Sequence, residues 1–418
     1  MRIIYDAAIF LYSSGIRIAS LTGNKKAGLW IAGRKNQQEI SSPQLKKSKN
    51  RVWFHCASLG EFEQGRPLIE KIKSSDPSVF IILTFFSPSG YEIRKNYTYA
   101  DLVCYLPIDT AKNAEDFIEA ISPGYVVFIK YEFWLHYFEE LAKKKIPLFI
   151  ASATFRPSQI FFKWYGSFFR RMLKHVTHFF VQDELSEKLL RSTGFTNTTI
   201  AGDTRFDRVN EISAKSIRLP LIEEFRGNNK LFVAGSTWPK DEVILDSLFP
   251  ELKKHDFKIV IAPHEVSPAR IKSFIDRLAS NFSEDEICLY SSEKIQSNSR
   301  ILIIDNIGML SSIYSYGNMA WIGGGFGNGI HNILEAATYG LPIMFGPNYK
   351  KFREAIELID AGGAFCVHNS DQALNIFSEL VRDESRFKQS GKISSDYVRS
   401  RVGASDKIMT LISKMITV

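Results

Sequence analysis

The sequence has few cysteines and no histidines spaced for a metal. Its 418 residues include four cysteines and eight histidines, with no CxxC pair and no HExxH sequence. These absences argue against a disulfide framework and a zinc module, and they fit a reducing compartment. An Asp-x-Asp pair is also missing, so we expect neither a metal site nor a cofactor.

A long, uniformly apolar run is missing too. The apolar segment 3–22 is interrupted by Asp6 and Arg17, whereas a spanning helix needs about 20 predominantly apolar residues. The segment also lacks a cleavage site of the signal-peptide type. Apolar sequence followed by basic residues is typical of an interfacial anchor on an anionic membrane, although an ordinary helix packed on the domain is the alternative. The basic residues are Lys25, Lys26, Arg34 and Lys35.

Excess positive charge is confined to the first half of the chain. Residues 1–214 contain 29 Lys and Arg against 21 Asp and Glu, so they carry the whole net charge of +8. This asymmetry indicates a phosphate-bearing partner or an anionic membrane surface for that half. Nucleic acid is a weaker alternative because no nucleic-acid motif accompanies the charge. No protein partner is inferred.

The order of apolar segments predicts an α/β protein. Strand-like and helix-like segments alternate in two series, which indicates two parallel sheets covered by helices. The predicted strands of the first series are 51–57, 79–85, 103–106, 125–129, 148–151 and 178–181, and those of the second are 230–234, 258–262, 301–304, 319–322 and 342–345. We therefore predict two doubly wound, Rossmann-like domains facing across a cleft, with ligands at the carboxyl ends of the strands. The predicted boundaries are a membrane-associated segment 1–35, an acceptor domain 36–210, a linker 211–228, a nucleotide domain 229–400, and a helical segment 401–418 that could pack back on the first domain.

The stretch Trp321–Ala355 contains five glycines within seven positions, from Gly323 to Gly329. So many residues without a Cβ predict sharp turns and the close approach of a ligand. An apolar stripe from Ile330 to Ala337 then predicts a helix. A helix N-terminus suits a phosphate, and a carboxylate one turn later could accept from a ribose diol. The alternative is a tight turn with a solvated Asn332 and Glu335.

The full string HN-x-LEAA-x-x-GLP-x-x-FGP-x-x-x-x-F resembles the nucleotide-binding segment of 3-deoxy-D-manno-octulosonic acid (Kdo) transferases, which are GT-B glycosyltransferases of lipid A synthesis. Further motifs follow the family's order along nearly the whole chain. They are Ser58-x-Gly60-Glu61, Lys130-Tyr131-Glu132-Phe133-Trp134, Gly202-Asp203-Thr204-Arg205-Phe206-Asp207, Ala262-Pro263-His264-Glu265 and Asp305-Asn306-Ile307-Gly308-Met309-Leu310.

Several positions depart from the family's pattern. Trp238 replaces the His of a Ser-Thr-His motif, and Arg205 replaces a Lys. The Arg expected before His264 is missing, and Met309 stands in place of a Glu. These differences indicate a divergent branch of the family with the same fold.

The resemblance implies an inverting transfer of Kdo from CMP-Kdo to the lipid A precursor (lipid IVA), at the cytoplasmic face of the inner membrane. It implies that Glu61 is the general base and that Glu132 and Arg205 stabilise the transition state. Glu61 is expected just past a strand end, in a loop ahead of a helix over 66–74 that has Pro67 in its first turn. By its position alone, Glu61 could equally be a solvated residue that caps this helix. Two alternatives for the whole chain are a GT-B enzyme using a UDP-sugar and a lipid-linked acceptor, and a non-catalytic sugar-nucleotide-binding module. The residues implied in CMP binding are Pro263, His264, Ile307, Gly308, Met309, Asn332, Ile333, Leu334 and Glu335.

Overall fold

The chain forms two compact units. The computed structural model describes residues 1–35, 45, 48, 50–130, 132–215 and 217–416. The N-terminal unit comprises Met1–Arg208 together with Gly403–Val418, and the C-terminal unit comprises Val209–Val402. The segment 211–228, predicted as a linker, contains the end of one helix and the whole of another. Tyr131, part of the Glu132 motif, lies outside the described residues.

The N-terminal unit is built on a seven-stranded parallel sheet in the order β3-β2-β1-β4-β5-β6-β7. Its central strands are buried on both faces, which explains why they are continuous apolar runs without alternation. The strands are β1 (Arg51–Cys56), β2 (Phe80–Phe85), β3 (Leu102–Tyr105), β4 (Tyr125–Ile129), β5 (Leu148–Ala153), β6 (His178–Val181) and β7 (Thr198–Ile200).

Helices connect these strands and extend both ends of the unit. Ser58, Ser87, Thr110 and Asp183 each cap a helix by accepting a backbone N–H from its first turn. The helices are α1 (Arg2–Leu21), α2 (Lys25–Lys35), α3 (Leu59–Ser75), α4 (Pro88–Arg94), α5 (Ala111–Ile121), α6 (Leu135–Lys143), α7 (Ser167–Leu173), α8 (Glu184–Ser192) and α9 (Thr204–Ala214), which runs into the C-terminal unit.

The C-terminal unit has a second seven-stranded parallel sheet, in the order β10-β11-β9-β8-β12-β13-β14. Its strands are β8 (Lys230–Thr237), β9 (Phe257–Pro263), β10 (Ile287–Leu289), β11 (Ile301–Ile303), β12 (Met319–Ile322), β13 (Ile343–Phe345) and β14 (Ala364–Cys366). Its helices are α10 (Pro220–Arg226), α11 (Pro239–Lys254), α12 (Pro268–Leu278), α13 (Leu310–Ile313), α14 (Leu334–Ala337), α15 (Arg353–Ala361), α16 (Ser370–Arg382) and α17 (Glu384–Arg399).

The prediction of an α/β fold with two doubly wound sheets is confirmed. Two local predictions are wrong. Glu61 was expected in a loop, but α3 begins at Leu59, because the Ser58 cap starts the helix despite the glycines that follow. The helix predicted over 330–337 is only the four residues of α14. The backbone before it is still turning through the segment 323–329, which we call the glycine loop.

Helix α1 is apolar but largely exposed. Ser13 is its one buried residue, while Ile3, Phe10 and Leu11 are 82%, 66% and 68% exposed. Polar contacts attach the start of α1 to the unit: Tyr5 donates to the buried Asp109 at 2.5 Å, and Asp6 pairs with His136 at 2.6 Å. Within the described parts of the chain, no helix is both long and apolar enough to cross a bilayer.

The last helix, α18 (Ala404–Ile416), belongs to the N-terminal unit. Ile408 and Ile412 are fully buried in the core that also contains Val127 and Phe180. Asp207 accepts hydrogen bonds from the backbone N–H groups of Gly403 and Ser405, at 2.5 and 2.7 Å. The start of α18 is thereby fixed to α9.

Candidate functional site

Glu61 lies at the point where the strand order of the N-terminal sheet reverses. It follows β1, and β1 pairs with β4 rather than continuing the order β3-β2-β1. Ligands of open α/β sheets bind at such switch points. Glu61 is half-buried in the first turn of α3, where the Ser58 hydroxyl donates to its carboxylate.

Glu132 follows β4, so it lies beside Glu61 at the same switch point. Burial, and next the negative charge of Glu61, raise the pKa of Glu132 to about 7. Lys130, just before Glu132, adopts a left-handed φ of 66°, a conformation that costs about 1–3 kcal/mol and is frequent at functional sites. The structure thus brings two of the predicted catalytic residues together as a pair of carboxyl groups, of which Glu132 holds its proton more tightly than an ordinary Glu.

Arg205 lies at the start of α9, in the same unit. Its side chain pairs with Asp203, with Nε and Nη2 at 2.9 and 2.7 Å from Oδ2. Asp203 is buried and also accepts from Gln64, which lies on α3 one turn after Glu61. The pairing holds the guanidinium in a defined place near α3.

In the C-terminal unit, three adjacent strand ends bring together three aromatic rings. Trp238 follows β8, His264 follows β9, and His331 lies in the loop after β12, and these strands neighbour one another in the sheet. The His264 ring stacks on Trp238 and on His331, with centroid distances of 4.5 Å in both cases. The indole Nε1–H of Trp238 donates to Nε2 of His331 at 3.1 Å. We call Trp238, His264 and His331 the ring cluster.

Burial, and next the nearby His264, lower the pKa of His331 to about 4. His331 is therefore neutral at physiological pH. Among the residues predicted to bind CMP, His264 is exposed and its neighbour Pro263 is buried in the strand end.

The other predicted CMP-binding residues form two groups. The loop Ile307–Met309 follows β11, with Ile307 87% exposed, Gly308 exposed at a φ of 99°, and Met309 half-buried. Asn332 donates to Glu335 at 3.0 Å and accepts from the N–H of Leu334 at 3.2 Å. Asn332 thus accepts from the first N–H of α14, whereas Ile333 and Leu334 are buried in the core.

The glycine loop approaches its own backbone closely. A Cβ at Gly323 would lie 2.1 Å from the carbonyl oxygen of Ser236, and a Cβ at Gly325 would lie 2.5 Å from the N of Gly346. Gly324 and Gly340 adopt left-handed φ values of 91° and 72°. Part of the glycine requirement is therefore structural, because the loop packs against the ends of β8 and β13.

Asp241, in the first turn of α11, was not singled out in the sequence. It is fully buried, and its Oδ2 accepts from the backbone N–H groups of Trp238 at 2.9 Å and Gly324 at 2.8 Å. It ties the glycine loop to the end of β8. An acidic residue at the third position of a helix that begins with Pro239 is a capping signal that could have identified it.

Arg34 does not act as an exposed cation. Its guanidinium donates to the carbonyl oxygens of Phe86 and Leu106 at 2.9 and 3.0 Å and lies 3.8 Å over the ring of Trp30. Burial lowers its pKa to about 10. Of the four basic residues that follow the apolar segment, Arg34 therefore fixes α2 to the rest of the N-terminal unit.

Comparison with known proteins matches both sequence and fold. Residues 33–208 match the family model described as 3-deoxy-D-manno-octulosonic-acid transferase (kdotransferase). The 3-deoxy-D-manno-octulosonic acid transferase of Rickettsia bellii is 26% identical over 375 residues, covering 87% of each protein. The enzyme of the same name from Aquifex aeolicus is 26% identical over 350 residues, covering 82% of this chain and 90% of the relative.

Among solved structures, the UDP-N-acetylglucosamine 2-epimerase of Neisseria meningitidis, bound to UDP-N-acetylglucosamine, superposes with a TM-score of 0.61. The match covers 87% of this chain and 100% of the epimerase, at 17% sequence identity. At that identity the similarity concerns the fold alone.

Proposed function

Because the chain belongs to the Kdo transferase family, we propose that it transfers Kdo from CMP-Kdo to a hydroxyl group of the lipid A precursor lipid IVA, inverting the anomeric centre. The observation that carries this proposal is the pair of Glu61 and Glu132 at the switch point of the N-terminal sheet. Both residues lie within the region that matches the family model.

In the proposed reaction Glu61 takes the proton of the acceptor hydroxyl. The acceptor oxygen then forms a bond with the anomeric carbon, and the bond between that carbon and the phosphate oxygen breaks, so that CMP leaves with the electron pair. With a pKa of about 7, Glu132 is partly protonated at neutral pH. It can then donate a hydrogen bond while the neighbouring Glu61 acts as the base, a division of roles that differing environments produce in pairs of carboxyl groups.

For the leaving phosphate and the nucleotide we propose two sets of residues. Arg205, held by Asp203, stabilises negative charge in the transition state. The C-terminal unit binds CMP through Asn332 and Glu335, helped by the loop Ile307–Met309 and by His264. The hydrogen bond between Asn332 and Glu335 supports this role, since it orients the carboxylate for a ribose diol.

We further propose that α1 lies in the interface of an anionic membrane at the cytoplasmic face of the inner membrane. Exposed apolar side chains on α1 and the exposed Lys25 and Lys26 support this proposal. A soluble helix rarely leaves such large apolar groups in water. An acceptor with acyl chains and phosphates would be reached from that surface.

The proposal is tested by incubating the protein with CMP-Kdo and lipid IVA and analysing the lipid by mass spectrometry. The parent protein should add Kdo, and Glu61→Gln should lower turnover by about 10²–10⁴-fold, the usual contribution of a general base. Gln can still accept the bond from Ser58, so the melting temperature should change little. Glu184→Gln is the matched control, because Glu184 also lies in the first turn of a helix of this unit. Near-normal turnover of Glu61→Gln with lowered stability would show that Glu61 only caps α3.

A thermal-shift comparison of CMP with UDP tests the donor. Stabilisation by CMP and not by UDP is the expected result. Stabilisation by UDP alone would mean that the chain uses a UDP-sugar, and the assignment of CMP-Kdo would be wrong.

A further inference from the structure

The hydrogen bond between Trp238 and His331 determines where the proton of the imidazole lies. An indole N–H can only donate, so Nε2 of His331, 3.1 Å away, must be the acceptor. A neutral imidazole carries one proton, which therefore lies on Nδ1. A His at position 238, as in the Ser-Thr-His motif of the resemblance, would not set the tautomer in this way, because its ring can either donate or accept.

The Nδ1–H group of His331 is available to a ligand. Among the described residues, no protein group accepts a hydrogen bond from this N–H. The nitrogen is also not fully buried, because the fully buried polar atoms without a partner do not include it. His331 is half-buried, so this edge of the ring opens to solvent at the glycine loop.

The ring cluster is rigidly supported. Trp238 and His331 both lie on the same face of the His264 ring. If His264 lay between them, their rings would be two stacking distances apart, which is too far for the 3.1 Å hydrogen bond between their ring nitrogens. Asp241 holds the backbone of Trp238, and the N–H of His331 donates to the carbonyl of Gly323 at 3.1 Å. The imidazole is thus fixed through its side chain and its backbone.

We propose that Trp238 is a positioning residue that holds His331 in the Nδ1–H tautomer, so that the glycine loop presents a neutral N–H donor to an anionic oxygen of the bound sugar nucleotide. The identity of the ligand rests on the proposed function, whereas the tautomer rests on the geometry of the two rings alone. The role of Trp238 departs from the family motif quoted above, which has His at this position.

The test uses the full-length chain labelled with ¹⁵N-histidine. The ring nitrogen shifts of His331, assigned by comparison with His331→Gln, should show the proton on Nδ1 in the parent protein. Trp238→Phe keeps a flat ring in the stack but removes the N–H, so it should produce a mixture with the proton on Nε2. Trp164→Phe is the control of the same chemistry, since Trp164 is 91% exposed in the N-terminal unit, and it should leave the spectrum unchanged.

Calorimetric titration with CMP on the same proteins tests the second half of the proposal. Trp238→Phe should weaken CMP binding by about threefold to tenfold, as expected when one hydrogen bond to a charged group is partly lost. Trp164→Phe should bind like the parent. An unchanged tautomer in Trp238→Phe overturns the proposal, and so does a changed tautomer with unchanged affinity. If the parent protein does not bind CMP, the donor assignment and the ligand half of this proposal fail, while the spectrum still decides the role of Trp238.

Discussion

At the residue scale, the environment of Glu132 has the clearest consequence, because it raises the pKa of the Glu132 carboxyl group. Its raised pKa has burial as the main cause and the charge of Glu61 as the second. Both causes oppose ionisation, so the folded state holds the proton of Glu132 more tightly than the unfolded state does.

Glu132 should therefore lower stability as the pH rises. The penalty is absent below about pH 4.5, the ordinary value for a Glu, develops between pH 4.5 and 7, and is complete above pH 7. Glu132→Gln removes it, so the variant should gain up to about 3 kcal/mol at pH 8 and nothing at pH 4. Urea unfolding of the N-terminal unit at several pH values would measure this difference. A constant offset across that range would contradict the assigned cause, and Glu184→Gln serves as the exposed control.

At the nucleotide site, Glu335 is the side chain whose loss should be felt most. Glu335→Ala should weaken CMP binding by about 1.5–3 kcal/mol, the range for losing a hydrogen bond to a charged group. The fold should persist because Glu335 is only half-buried on the short helix α14. Calorimetry with Asp371→Ala, an exposed first-turn acid of α16, provides the comparison. Equal CMP affinities for the two variants would remove Glu335 from the proposed site.

At the scale of secondary structure, α1 combines an apolar sequence with firm polar attachment. Deleting the helix would not separate membrane binding from folding, because the deletion would also leave the buried Asp109 without its hydrogen bond from the Tyr5 hydroxyl. Substitutions on the exposed face avoid this problem, since they leave Tyr5 and Asp6 in place.

The triple variant Ile3→Ser, Phe10→Ser, Leu11→Ser should bind anionic vesicles at least about tenfold more weakly than the parent, because apolar area inserted into the interface drives binding. A matched triple variant, Leu185→Ser, Ile217→Ser, Val243→Ser, changes side chains that are 52%, 66% and 58% exposed elsewhere, and it should bind normally. Vesicle flotation at fixed lipid composition measures both. Equal flotation of the two variants would show that α1 is not the membrane contact.

The sequence predicts individual elements well where burial is complete. Tyr125–Ile129 and Met319–Ile322 are observed with the predicted bounds, because a strand covered on both faces must be apolar throughout. The edge strands β7, β10 and β14 were not predicted, since three residues with partly exposed faces carry no recognisable pattern. Pro67 was expected in the first turn of its helix, but α3 starts eight residues earlier and Pro67 lies inside it.

For the molecule as a whole, the order of the strands in each sheet determines which residues come together. That order cannot be predicted from the sequence of any single segment. Glu61 and Glu132 meet because β1 pairs with β4, and the ring cluster forms because β9, β8 and β12 are neighbours. Motifs identified Glu61, Glu132 and His264 individually. The partnership of Trp238 with His331 depends on a contact across 93 residues of sequence, which one sequence cannot reveal.

The return of α18 to the N-terminal unit leads to a prediction about the two units. Ile412 is fully buried in the N-terminal core, although it follows the whole C-terminal unit in sequence. Ile412→Ala should destabilise the N-terminal unit by about 2–5 kcal/mol through the cavity it leaves. Native-state hydrogen exchange should then show faster exchange in β4 and unchanged exchange in β12.

Ile416→Ala, on the same helix but 43% exposed, should have little effect on either strand. Loss of protection in β12 alone would show that α18 stabilises the C-terminal unit instead, and unchanged protection in both strands would show that Ile412 is not part of a closely packed core.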